Sequence, residues 1–357
     1  MKNQKFSRDI NLLVLFIVIF SGFAFTPALA QEVAIQITTD GAALDYEVAV
    51  SGNRIVWSKQ RSNSQDIYTC VLDPQTGYCP EQQISYGSSF KQRPSVSGNR
   101  IAWKASDAAG FSDIYMFDFN TGNTSPFSNT PAQHVERPAI SGSFVVYERW
   151  ADGSEPDLYL YDITKKQTVP IAIAPGHQSA AAIDGKRIVW ADTRNSDQYS
   201  DQFEIYSCTY DPVTGSCPNI RITNDTIFQL SPAISGNLVV WEDYRTGRAK
   251  TYLYNLTTRT GRPLTTTPYP ESHPRILGNR VVYESTRNDG YEHLFLYDLT
   301  TGTEEEIQAD MITGKDPAIS GNLIAWEDYR NGGQSDIYAI YKPPSIGGGG
   351  IRKTTAE

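Results

Sequence analysis

The chain has 357 residues and a formal net charge of −9 at pH 7, with 39% hydrophobic, 20% charged and 11% aromatic residues. An acidic balance without any block of basic residues argues against nucleic acid or an anionic membrane surface as a partner. The length suits either two ordinary domains or one large all-β domain.

The first thirty residues read as a secretory leader. Lys2, Lys5 and Arg8 make a basic start, an apolar run extends from Leu12 to Phe25, and Ala28-Leu29-Ala30 supplies the small-x-small pattern of a cleavage site. Cleavage after Ala30 is expected, and no Cys follows the cut to divert the chain into a lipoprotein. The leader carries three basic residues and Asp9, so the mature chain stands near −11, down from the −9 of the whole. No later stretch is apolar enough for a helical span. A soluble protein is therefore expected, secreted, periplasmic or at the cell surface.

The four cysteines form two equivalent brackets. Cys70 and Cys79 enclose Asp73-Pro-Gln-Thr-Gly77, and Cys208 and Cys217 enclose Asp211-Pro-Val-Thr-Gly215. Each bracket folds over one hairpin turn, which predicts disulfides Cys70–Cys79 and Cys208–Cys217 in an oxidising compartment. Loops this short stabilise by about 2–3 kcal/mol each.

A single text recurs seven times, marked by Gly52, Gly98, Gly142, Gly185, Gly236, Gly278 and Gly321. Pro232-Ala-Ile-Ser-Gly-Asn-Leu-Val-Val-Trp-Glu-Asp-Tyr-Arg245 returns almost unchanged as Pro317 to Arg330. Each copy reads as four strands: a short apolar strand ending at Ser-Gly-Asn, an interior strand ending in Trp, an Asp-Ile-Tyr strand, and a last strand after a Thr-Gly turn. No segment keeps a helical period. Four antiparallel strands at this spacing predict an all-β, seven-bladed β-propeller over 31–344. The seventh copy stops after its third strand, and Ala34-Ile-Gln-Ile-Thr38 matches the missing fourth. The N-terminal strand is thus expected to complete the last blade and close the ring, with 345–357 as a flexible Gly-rich tail.

These motifs resemble the TolB-like (WD40-like) propeller repeat family, related to the propellers of prolyl oligopeptidase-type enzymes. The family text runs Pro-x-Ile-Ser-x-Gly, then Asp-x-Arg, then Asp-Ile-Tyr, then a Thr-Gly turn, and the resemblance covers essentially all of 31–344. Here Ser-Gly-Asn mostly replaces the family's Asp-Gly turn, as in its envelope and cell-surface branch. The resemblance implies an exported binding protein, and sometimes an enzyme. Its extra N-terminal α/β domain, found in some members, has no counterpart.

The tight turns occupy one face of the expected ring, so a site belongs on the opposite, long-loop face or in the channel mouth. The recurring Trp-x-Asp-x-Arg text (Trp190, Asp192, Arg194; Trp241, Asp243, Arg245; Trp326, Asp328, Arg330) reads as structural, because it repeats. Residues that break the repeat are the ligand-binding candidates: His134, Glu136, Arg137, His177, Gln178, His273, Arg275, Lys315 and Asp316. Three histidines at a channel mouth would suit a divalent metal, and oligogalacturonate lyases, which share this propeller type, use a His-and-Gln metal site. There is no Gly-x-Ser-x-Gly elbow and no free thiol, so no catalytic residue, metal or cofactor is assigned. The expected function is a monomeric, non-enzymatic scaffold for an unknown protein or cell-envelope glycan. The alternatives are a metal-assisted glycan-active enzyme or a sugar or small-molecule binder stacking on Trp150, Tyr244 and Tyr329.

Overall fold

The computed structural model describes residues 33–41, 43–62, 64–128, 134–150, 155–196, 202–287, 290–307 and 313–343. The expected leader (1–30) and the Gly-rich tail (345–357) lie outside them. The described chain is all-β, arranged as four-stranded antiparallel sheets. Repeat five is typical: Gln229–Ser235, Leu238–Asp243, Lys250–Asn255 and Thr260–Pro263 pair in sequence order. The sheets of repeats one and two are joined by a single parallel bridge, Gln65 to Phe90. In repeat seven, Gly314–Ser320, Leu323–Asp328 and Asp336–Tyr341 take their fourth strand from Ile35–Gln36, which pairs antiparallel with Ala339 and Tyr338.

The second strands carry the core. Trp57, Trp103, Tyr147, Trp190, Trp241, Tyr283 and Trp326 occupy equivalent positions and are at most 2% exposed. Each faces an aromatic residue directly opposite on the third strand, with ring centroids 5.7–6.3 Å apart, as in Trp241–Tyr252 and Trp57–Tyr68. The apolar clusters are shared between consecutive repeats. One joins Val240 of repeat five to Val281 and Tyr283 of repeat six, and another joins Ile55 and Trp57 of repeat one to Leu323 and Ala325 of repeat seven.

The Trp-x-Asp-x-Arg text is structural. Trp241 Nε1 donates to Asp243 at 3.0 Å, and Arg245 donates to both oxygens of that buried carboxylate, from Nε at 2.7 Å and Nη2 at 2.7 Å. The guanidinium also lies 4.2 Å from the centre of the Tyr252 ring. Arg194 and Arg330 repeat the arrangement over Tyr206 and Tyr338. The Ser-Gly turns have a second role: the backbone N–H of Gly278 donates to Ser235 Oγ of the preceding repeat at 2.9 Å, and Gly52 does the same to Ser320 at 2.8 Å. Each turn glycine sits near φ +57°, a backbone that glycine adopts without strain. Both expected disulfides are present, Cys70–Cys79 and Cys208–Cys217.

Candidate functional site

Every first strand carries a β-bulge that its sequence does not announce. Pairing with the second strand slips by one residue between Tyr46 and Ala49, Gln92 and Ser95, Glu136 and Ala139, and at the same place in the other four repeats. The slip puts Glu47, Arg93, Arg137, Ala180, Ser231, His273 and Asp316 in the left-handed region, at φ between 47° and 58°. None is glycine, so each position carries strain of about 1 kcal/mol or more.

Carboxylates from neighbouring strands hold five of these bulges. The backbone N–H groups of Ala180, His273, Asp316 and Glu47 donate to Glu148, Glu242, Glu284 and Glu327 of the preceding repeat, at 2.6–2.8 Å. Those four glutamates are at most 4% exposed. Repeat one has Ser58 at the glutamate position, and there Glu47 itself accepts from the Arg93 N–H and the Ser58 hydroxyl. A charge-assisted bond of this kind contributes about 1.5–3 kcal/mol, enough to hold a strained residue. Burial pushes Glu148 above the usual carboxylate range and Glu327 up to about 7, the latter helped by the charges of Asp316 and Glu47.

At the end of the sheets away from the Ser-Gly turns, repeats two to four enclose a cleft of about 330 Å³. It is lined by Arg93, Glu136, Arg137, Glu148, Trp150, Pro156, His177 and Ser179. Arg93 lies 3.4 Å from Glu136 and Arg137 3.6 Å from Glu148, while Lys104 is bonded to the other oxygen of Glu136. The guanidinium side chains remain 44% and 45% exposed.

Of the residues singled out from sequence, Glu136, Arg137 and His177 meet in this cleft. His273 and Asp316 meet elsewhere, beside Glu284, with possible ligand atoms within 4.8 Å of one another. His273 Nδ1 lies 2.9 Å from Glu284 Oε2, and that bond raises the imidazole to about 9. Both Glu284 oxygens are thus already engaged, one by His273 and one by the Asp316 N–H. The convergence of three histidines that the metal alternative would need does not occur among the described residues. His134 packs its ring against Phe111 at 5.7 Å, and His177 lies 3.6 Å from Glu155. A three-histidine metal centre does not fit this arrangement. Gln178 is fully buried and donates to the Gly176 carbonyl, Lys315 pairs with Glu292 at 2.9 Å, and Arg275 donates to the Pro274 carbonyl. Tyr244 and Tyr329 donate their hydroxyls to Glu242 and Glu327.

Arg93, Lys104, Glu148 and the glutamate set were not singled out from sequence. A signal existed: Arg93 and Arg137 both stand five residues before the turn Gly and immediately before Pro, and Glu follows the interior aromatic in four repeats.

No family model and no curated protein matches the sequence. Solved structures do. The propeller domain of the Trilobed protease from Pyrococcus furiosus, described as having an open velcro topology, superposes with a TM-score of 0.64 at 10% identity, covering 85% of this chain and 94% of its own. An oligogalacturonate lyase solved with manganese gives 0.62 at 15% identity, with 89% and 95% covered. TolB from Acinetobacter baumannii gives 0.52 at 18%, with 78% and 66% covered. At these identities the likeness shows the β-propeller fold alone.

Proposed function

We propose that the chain is an exported, seven-bladed β-propeller that works as a non-enzymatic binding module, engaging its partner at the long-loop mouth of a central channel. Seven repeats and seven inter-repeat apolar clusters support the blade count. The pairing of Ile35–Gln36 with the last strand, and the cluster shared by repeats seven and one, support a closed ring. The paired cysteines agree with an oxidising compartment. The observation that carries the binding role is the cleft at repeats two to four, where the exposed Arg93 and Arg137 side chains gather beside Trp150. Partner classes are a protein or a cell-envelope glycan.

Photo-crosslinking from the envelope of the source cells tests it. A benzophenone residue at Trp150, at the mouth, should capture a discrete partner, and one at exposed Asn99, on the turn face, should not. Equal capture from both positions, or turnover of a polysaccharide or peptide by the purified protein, refutes the reading.

A further inference from the structure

The bulge positions differ from everything around them. Backbone geometry there is the same in all seven repeats, and the next residue is Pro in five of them. The side chains share nothing: Glu47, Arg93, Arg137, Ala180, Ser231, His273, Asp316. A fold that needed only the left-handed kink would place glycine, which adopts it without strain. The turn that ends the same strand does so in all seven repeats. Strained non-glycine backbone held in place by its surroundings is a mark of a working position. Where the bulge is fixed through its N–H, the side chain takes no part in the bond at its own bulge; Glu47, Arg137 and His273 instead reach the carboxylate group that holds the next one.

We infer that the bulge side chains are the ligand-reading set of the proposed channel, and that Arg93 and Arg137 form a site for a carboxylate. Charge is segregated along the set. Arginines occupy repeats two and three, small residues follow at Ala180 and Ser231, and Asp316 and Glu47 stand at repeats seven and one. Both arginines are exposed and line the cleft, where Ser179 leaves room beside them. Each makes one ion pair, at 3.4 and 3.6 Å, so the fork of each guanidinium has donors to spare. Arg93, Lys104 and Arg137 face two carboxylates, Glu136 and Glu148. An excess of one positive charge suits a monoanion. A dianionic phosphate would be opposed by those same carboxylates. Trp150 and Pro156 offer an apolar wall for whatever carries the group.

This inference rests on the mouth being the binding face, and its test is separable from that one. The mature protein is titrated with a capped Gly-Ser-Glu-Ser-Gly peptide and with propionate, the same carboxylate without the chain, by saturation-transfer NMR at low salt. Binding is expected, and Arg93→Gln should weaken it about tenfold. Arg137→Gln should do the same, and Arg259→Gln on an outer turn should leave it unchanged. Arg93→Gln is the safer variant, since Glu136 keeps Lys104. Preference for the peptide assigns the carboxylate to a polypeptide, and equal binding assigns it to a free acid. No binding of either probe, tighter binding of inorganic phosphate, or indifference to both arginine variants overturns the proposal. If crosslinking from Trp150 still finds a partner in that case, the mouth stands as a binding face and only the carboxylate assignment falls.

Discussion

Glu327 sits at the junction of the seventh and first repeats, 4% exposed, with one oxygen 2.6 Å from the Glu47 N–H and the other 3.1 Å from the Tyr329 hydroxyl. Burial is the main reason its carboxyl is raised from 4.5 to about 7, with Asp316 and Glu47 adding like charge. A carboxyl raised in the folded state binds its proton more tightly there than when unfolded. It therefore adds stability that is complete below pH 4.5 and is lost as pH climbs through 7. The interval is about 2.5 pH units, and at 1.36 kcal/mol per unit the term amounts to about 3 kcal/mol. Glu327→Gln keeps an amide oxygen for the Glu47 N–H and removes the titration. Asp45, raised to about 6, and His273 also titrate, so the readout is the difference between the two proteins at each pH. Urea unfolding with disulfides intact should show wild type losing about 3 kcal/mol relative to the glutamine variant between pH 4.5 and 8. Parallel stability curves would mean that Glu327 is charged in the native state at pH 5, and that the latch outweighs its desolvation.

The Ser-Gly ladder makes a second prediction. Leu277, 37% exposed, occupies the serine position facing the Gly321 turn, so Leu277→Ser should add the link that Ser235 makes to Gly278. A gain of about 1 kcal/mol is expected, read as a raised unfolding midpoint; a loss would show that the leucine's packing matters more. The His273 imidazole should titrate by NMR near pH 9 and fall towards its ordinary range in Glu284→Gln. The sign follows: this pair stabilises the fold below pH 6.5 and fades as pH passes 9. An unmoved titration in the variant would remove Glu284 as the cause.

The repeat was legible because identical environments select identical residues. Trp at the inter-repeat core, Asp and Arg at the indole latch, and Gly at the left-handed turn each recur for a local reason. The bulges were not legible, since five of them are held by a carboxylate 31 to 46 residues away, or across the seam from Glu327, and all seven fall on residues with no propensity in common. The three histidines fall in different surroundings for the same reason. His273 looks exceptional in the text, but its neighbours are Glu284 on the paired strand and Glu242 of the preceding repeat, neither close in sequence. Arg93, also before a proline, looked ordinary and lines the cleft beside Arg137.

The pairing of Ile35–Gln36 with Tyr338–Ala339 spans some 300 residues. During synthesis the first of these strands emerges some 300 residues before its partner, so it waits unpaired until the seventh repeat is made. A chain shortened before Tyr338 would leave that strand permanently without a neighbour and expose its edge to other molecules. Loss of the last strand would thus be felt at two distant points of the chain at once, in the seventh repeat and at Ile35–Gln36.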